Sequence, residues 1–189
     1  MEQHISPSDE DAARAVQHGD AEAFAVLIKR YEPKLARYGR KFVANRDDID
    51  DVLQDVFIKA YEHIQSYDSR RAFSPWIYRI AHNAFISLIR KRTREPVIPF
   101  DPDTLFPHPV AKETADGDIL REEIAQELEK HLDTLDPKYR APLILYYYED
   151  MDYKAIADIL HIPVSTVGVR ITRAKKQLLA QYETRHDTN

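Results

Sequence analysis

Residues 73–94 read FSPWIYRIAHNAFISLIRKRTR, and the spacing of their apolar and charged side chains predicts one helix with two unlike faces. Ser74 is a favourable N-cap, and Pro75 stands where a missing N–H is harmless. Phe73 and Tyr78 are spaced to close a hydrophobic staple over that start. Ile77, Ile80, Ala81, Ala84 and Leu88 recur at helical spacing and predict a core-facing stripe. Arg79, Asn83, Ser87, Arg90 and Arg94 recur on another side, with Trp76, Tyr78, His82 and Phe85 interleaved. Cations follow phosphates and aromatic faces stack on unpaired bases, so the second face suits a nucleic acid. A plain solvated helix explains the cationic run at 90–94 equally well, and the aromatics less well.

Two helical segments precede this one. Over 21–44, Phe24, Leu27, Ile28, Tyr31, Leu35, Tyr38 and Phe42 form a stripe, with Asp20 as a cap and a kink or break expected at Pro33. Over 47–63, Ile49, Val52, Leu53, Val56, Phe57 and Ala60 are the expected buried set. Asp47, Asp51, Gln54 and Asp55 share another face of that helix. Five aspartates close together invite a metal reading, but hard cations draw oxygens from loops or several elements, and one helix face makes a poor cage. Asp47 and Asp48 also suit a helix N-terminus. The acidic face is then either solvated or a docking surface for a basic protein. The loop over 64–73 mixes polar, aromatic and basic residues, as base-contacting loops and ordinary surface loops both do.

Beyond Arg94 the texture changes. The stretch 95–118 holds five prolines without a sustained period and predicts an extended, acidic linker. Its apolar residues (Val97, Ile98, Phe100, Leu105, Phe106) exceed what a spacer needs. Helical spacing resumes over 118–133, breaks at Asp136-Pro137 and returns over 138–148, with Pro142 near the first turn and Tyr146, Tyr147 and Tyr148 expected to pack. Residues 152–180 carry the most specific pattern. Asp152 caps a short helix with Tyr153, Ile156, Ala157 and Leu160 inward; His161-Ile162-Pro163 is a turn; a second, basic helix follows with Val167, Ile171, Ala174 and Leu178 inward. That is the layout of a helix-turn-helix. Ser165, Thr166, Val169, Arg170 and Arg173 are expected away from its core stripe, with Lys175 and Lys176 within reach of phosphates. A generic helical hairpin accounts less well for the tight turn and the basic outer face.

Length and composition set the frame. The 189 residues suffice for one domain or two small ones, and 31% charged residues with only 4 glycines favour helices. There is no cysteine, hence no disulfide framework, thiolate metal site or thiol nucleophile, and a reducing cytoplasm is the expected setting. The polar, acidic start does not read as a signal peptide, and no apolar run approaches a membrane span. The net charge of −5 hides a segregation: residues 20–94 carry +5, residues 95–150 carry −9 and residues 151–182 carry +3. Two basic blocks flank an acidic one, which suits a polyanionic partner.

In this order the parts resemble a family. AFAVLIKRYEPKLARY, DDVLQDVFIKAY, FSPWIYRIAHNAFISLIRKR and YYYEDMDYKAIADILHIPVSTVGVRITRAKKQL resemble, respectively, the first helix pair, the polymerase-docking helix, the promoter-melting helix and the minus-thirty-five helix-turn-helix of bacterial RNA polymerase sigma factors. The likeness is to the extracytoplasmic-function group of the sigma-70 family. It implies an all-α fold of two small helical domains joined by the proline-rich acidic linker. The expected boundaries are a flexible N-terminus (1–19), a first domain (20–94), the linker (95–117), a second domain (118–182) and a tail (183–189).

The resemblance also implies roles. Asp51, Gln54 and Asp55 would dock on a helical clamp of core RNA polymerase. Tyr67, Arg70, Arg71, Trp76, Arg79, Asn83 and Arg90 would hold the melted minus-ten strand. Ser165, Thr166, Val169, Arg170, Arg173 and Lys176 would read the minus-thirty-five duplex. Promoter DNA and an anti-sigma factor are the other expected partners, with no cofactor, metal, small-molecule substrate or membrane insertion. His161 stands where the family usually has glycine, which predicts an irregular turn or another residue in the left-handed conformation. Gly168 stands where a basic residue is common, and Ser87 where many members are acidic. Two other functions fit parts of the chain: a stand-alone helix-turn-helix regulator, against which the aromatic, basic helix over 74–94 speaks, and a metal-dependent phosphodiesterase, for which no histidine shares a ligand spacing with the aspartates.

Overall fold

A computed structural model of the chain describes residues 7–93 and 132–186. Among them the regular structure is helical throughout, in two compact units, Met1–Thr93 and Arg94–Asn189. The predicted linker, Arg94 and the helix over 118–131 lie outside the described residues.

The first unit holds α1 (Asp9–Gln17), α2 (Ala23–Arg40), α3 (Arg46–Glu62), a 3-10 turn (Ile64–Ser66) and α4 (Phe73–Thr93). Its caps follow from sequence: Ser8 Oγ accepts the Asp11 N–H at 3.0 Å, and Asn45 Oδ1 accepts the Asp47 N–H at 2.8 Å. Residues 9–17, expected within a flexible N-terminus, instead form α1, which packs on α2 and α4 through Ala12, Ala13 and Val16. Alanines let its backbone come close, a weak hydropathy signal for a well-buried element. Of the kink or break expected at Pro33, the break is absent, and α2 runs through as one helix. Pro33 and Lys29, whose carbonyl loses its helical donor, are both exposed, so water can supply the missing bond.

The core of this unit draws on all four helices and includes an aromatic seam between α2 and α4. Tyr38 lies edge-on to Tyr78 at 5.6 Å and to Phe85 at 6.3 Å. Gly39 admits Phe85 so closely that a Cβ there would stand 2.3 Å from the ring. Tyr78 and Phe85 are therefore core residues, not members of the basic face. The buried stripe of α4 centres on Ile77, Tyr78, Ala81 and Phe85, while Ile80, Ala84 and Leu88 are half-buried along the flank toward α3. Rings remove more apolar surface from water than alanine does, so the helix rotates to bury them.

The second unit holds a 3-10 turn (Leu132–Thr134), α5 (Pro137–Tyr147), α6 (Tyr153–Leu160) and α7 (Val164–His186). Asp136 caps α5 through the Lys138 N–H at 2.9 Å, with Pro137 in the first position. Pro142 lies in the second turn rather than the first and is buried. α7 continues to His186, into the expected tail. α5 and α6 both pack on α7, which closes the small core around Leu143, Ile144, Ile156, Val167 and Ile171.

Candidate polymerase and nucleic-acid interfaces

α3 presents Asp51, Gln54 and Asp55 exposed, as helical spacing requires when Val52, Leu53 and Val56 are buried. Two apolar residues missed in the sequence continue this surface: Ile58 is 49% exposed and Tyr61 46%. Both line an open groove between α2 and α3 that also includes Gln54 and Phe57. The signal was present, since Gln54, Ile58 and Tyr61 recur at helical spacing, but Ile58 and Tyr61 read as core when taken alone. Asp48 pairs with Arg92, which ties the start of α3 to the end of α4. Among the described residues no group of three or more histidines and carboxylates converges as a metal site would require.

A second groove runs between α3 and α4. Asp55 and Lys59 border it from α3, and Asn83, Ser87 and Lys91 from α4, over a floor that includes Ile80 and Leu88. Asn83, Ser87 and Arg90 are exposed and Arg79 half-buried; Ser87 Oγ donates to Asn83 O at 2.7 Å. His82, expected on this face, is half-buried and shares a 2.8 Å hydrogen bond with the Tyr38 hydroxyl.

The loop before α4 is closely organised. Tyr67, expected to contact a base, is only 4% exposed, with its ring 5.3 Å from both Phe73 and Trp76. Its hydroxyl donates to Arg71 O. Burial, and then the Glu10 charge, push the phenol up to about 12. Tyr67 is thus the pivot on which the loop is built, and a stacking role for its ring is withdrawn. A lone tyrosine in a polar loop carries no sequence signal of burial, because the covering residues come from α4. Arg70 and Arg71 are exposed. Arg70 grips the Asp68 carboxylate at 2.9 and 3.0 Å, and this ion pair holds Asp68 down at about 2. Trp76 is half-buried against Phe73. α4 begins at Phe73, ahead of the expected Ser74 cap, and the Phe73 N–H is accepted by Glu10 Oε1 of α1 at 3.0 Å.

In the second unit Asp152 caps α6 by accepting the Ala155 N–H at 2.7 Å. His161 itself takes the left-handed conformation, φ 53° and ψ 46°, so the turn is regular without a glycine. The Ile162 N–H folds back on Ala157 O at 3.2 Å, the outer bond of a Schellman motif. Pro163 O then accepts the Thr166 N–H at 2.9 Å as α7 begins. The three-residue turn matches the sequence reading.

The outer face of α7 is narrower than expected. Ser165, Val169 and Arg173 are half-buried and Lys176 is exposed, but Thr166 is 3% and Arg170 8% exposed. Two helices pack on α7, so its buried arc is wider than one stripe. Thr172, not singled out beforehand, is exposed in register with Ser165, Val169 and Lys176. The Lys175 ammonium lies 5.0 Å over the Tyr147 ring. Arg140 was also missed. It is buried and donates to Asp133 O at 2.8 Å and Leu135 O at 2.9 Å, pinning the turn ahead of α5. Among the described residues no single helix is long and apolar enough to cross a membrane.

Comparison with known proteins agrees with this architecture. Residues 27–95 match Sigma-70 region 2, and residues 125–178 match Sigma-70, region 4. The ECF RNA polymerase sigma factor SigW of Bacillus subtilis is 32% identical over 176 residues, covering 89% of this chain and 93% of that protein. The ECF RNA polymerase sigma-E factor of Escherichia coli K12 is 31% identical over 177 residues, covering 90% and 92%. Among solved structures, CnrH in complex with the cytosolic domain of CnrY superposes with a TM-score of 0.69 at 27% identity, over 94% of this chain and 99% of that one. The sigma factor RpoE in complex with the anti-sigma factor NepR from Bartonella quintana gives 0.63 at 25% identity, over 86% and 98%.

Proposed function

The chain belongs to the extracytoplasmic-function group of the sigma-70 family, and on that footing we propose that it binds core RNA polymerase and directs it to specific promoters. It reads the minus-thirty-five element as duplex and the minus-ten element as melted single strand. The observation that carries this reading is the groove between α3 and α4, bordered by Asp55 on one side and Asn83 on the other. A polymerase docked on Asp51, Gln54 and Asp55 would hold α4 at the edge of its own DNA path.

The first unit supplies docking and strand capture. The acidic row meets a basic helical clamp, and Ile58 and Tyr61 add the apolar contact that gives such a surface its affinity. Arg70, Arg71, Arg79 and Arg90 follow the phosphates of the opened strand, Asn83 offers its amide to a base edge, and Trp76 offers a ring for stacking. Strand separation costs unstacking energy, which these contacts offset only once the bases are exposed. The second unit places the N-terminal part of α7 in the major groove, with Ser165 and Val169 toward base edges and Arg173 and Lys176 toward phosphates. The polymerase performs the chemistry, and this chain contributes no catalytic group or cofactor. An anti-sigma protein that covers the docking and DNA faces is the expected regulator.

Reconstitution with core polymerase and a promoter library tests the reading. Co-purification with core and initiation from a defined subset of promoters is the expected result. Specific duplex binding without core would instead establish a stand-alone regulator, and failure in both respects overturns the proposal.

A further inference from the structure

α1 lies ahead of the stretch that matches Sigma-70 region 2, yet it grips both ends of the segment that leads into α4. At the entry, the Gln17 side-chain amide donates both of its N–H bonds to backbone carbonyls: Ile64 O at 2.8 Å and Tyr67 O at 2.7 Å. Gln65 Nε2 answers by donating to Gln17 O at 3.0 Å, a carbonyl at the C-terminal end of α1. At the exit, Glu10 Oε1 accepts the Phe73 N–H. Between these anchors the loop closes on itself: the Arg71 N–H bonds Asp68 O at 2.9 Å, Asp68 holds Arg70, and the Tyr67 hydroxyl reaches Arg71 O. Glutamine is the one uncharged side chain long enough for this that, like asparagine, carries two donors on a single nitrogen. Gln17 is half-buried, so its bonds compete less with water than those of an exposed residue.

We infer that Gln17 is a positioning residue for minus-ten reading. It sets the shape of the 67–72 loop in advance, so that Arg70, Arg71 and Trp76 meet the opened strand without first being ordered. A loop that must order on binding loses affinity and, with it, discrimination between correct and incorrect bases. The inference rests on the proposed role of this loop in holding the melted strand.

The test uses the full chain with core polymerase, a promoter selected for it and single-base variants of the minus-ten element. Gln17→Leu keeps the apolar stem and removes both donors. Gln65→Ala, at an exposed position, removes only the reciprocal bond. Arg71→Ala keeps the backbone bonds of the loop and removes an exposed side chain proposed to follow the strand. Gln17→Leu is expected to lower promoter opening about tenfold and to compress the preference among minus-ten variants, with core affinity and minus-thirty-five duplex affinity unchanged. Gln65→Ala should do the same to a smaller degree, about threefold. A cooperative denaturant transition, followed through Trp76, the single tryptophan, and through far-UV circular dichroism, verifies that the first unit is folded. If Gln17→Leu is folded and leaves opening and preference unchanged while Arg71→Ala lowers opening, the inference is overturned and the loop reading stands. If neither lowers opening, the loop reading falls and the inference falls with it. If Gln17→Leu does not fold, Gln65→Ala decides by the same criteria.

Discussion

His161 shows how a single residue can obey a backbone demand that its type does not advertise. It sits at φ 53°, where an L-side chain costs about 1–2 kcal/mol and histidine is tolerated better than most. His161→Gly should stabilise the second unit by about 1 kcal/mol, net of the greater freedom of glycine in the unfolded chain, seen as a shift of its calorimetric transition by several degrees. No shift would mean that the imidazole compensates for its backbone. Tyr67 makes a different demand. Unfolded tyrosine ionises near pH 10, and folded Tyr67 near 12. The unfolded chain therefore releases this proton first. The stabilisation is complete below pH 10 and is lost as the pH rises through 12. Tyr31, raised by burial and its 2.6 Å hydrogen bond to Asp9, acts in the same sense. Tyr67→Phe should flatten the pH dependence of Trp76-monitored unfolding between 10 and 12; an unaltered profile would place the dependence elsewhere. Neither residue was legible beforehand in this respect. The family resemblance, through its usual glycine, implied a left-handed residue or an irregular turn at this place, and the structure shows that His161 itself meets the demand.

At the scale of elements, α2 meets α4 at one close approach. Gly39 lets the helices meet at Phe85, which is fully buried. Alanine there has the better helix propensity by about 1 kcal/mol, but its Cβ would force the ring aside in a packed core. Gly39→Ala is expected to destabilise the first unit by roughly 1–3 kcal/mol, measured by denaturant unfolding through Trp76. Adding Phe85→Leu should recover part of the loss, a non-additivity that independent sites would not show. The same packing logic explains where the periodicity reading slipped. Periodicity located α4 and α7, but the width and centre of a buried arc depend on how many neighbours a helix has. α7 has two, which withdraws Thr166 and Arg170 from its outer face. Lys176, an exposed cation on that face, carries a prediction of its own. Lys176→Ala should weaken holoenzyme binding to minus-thirty-five duplex and reduce the slope of log affinity against log salt by about one. An unchanged slope excludes a phosphate contact at that position.

For the whole molecule, the proposed function divides between two units, each with its own core, and along the chain an acidic block separates two basic ones. Asp51→Arg combined with Asp55→Arg should reduce core-polymerase binding by a hundredfold or more through charge reversal at a docking face. Both positions are exposed, so Trp76 fluorescence and the unfolding profile should be unchanged; retained binding would remove α3 from the interface. The sequence alone determined the helical class, the division into two units, the acidic row of α3 and the three-residue turn at 161–163. These depend on local rules: 3.6-residue periodicity, capping side chains, proline placement and the segregation of charge along the chain. Only the tertiary structure decided that α1 is an ordered part of the first unit, that Tyr67, Tyr78 and Phe85 are core, and that Asp55 and Asn83 border one groove. Each of these turns on which distant surface covers a residue. A helical period states that a side chain has a face, and packing alone states what that face meets.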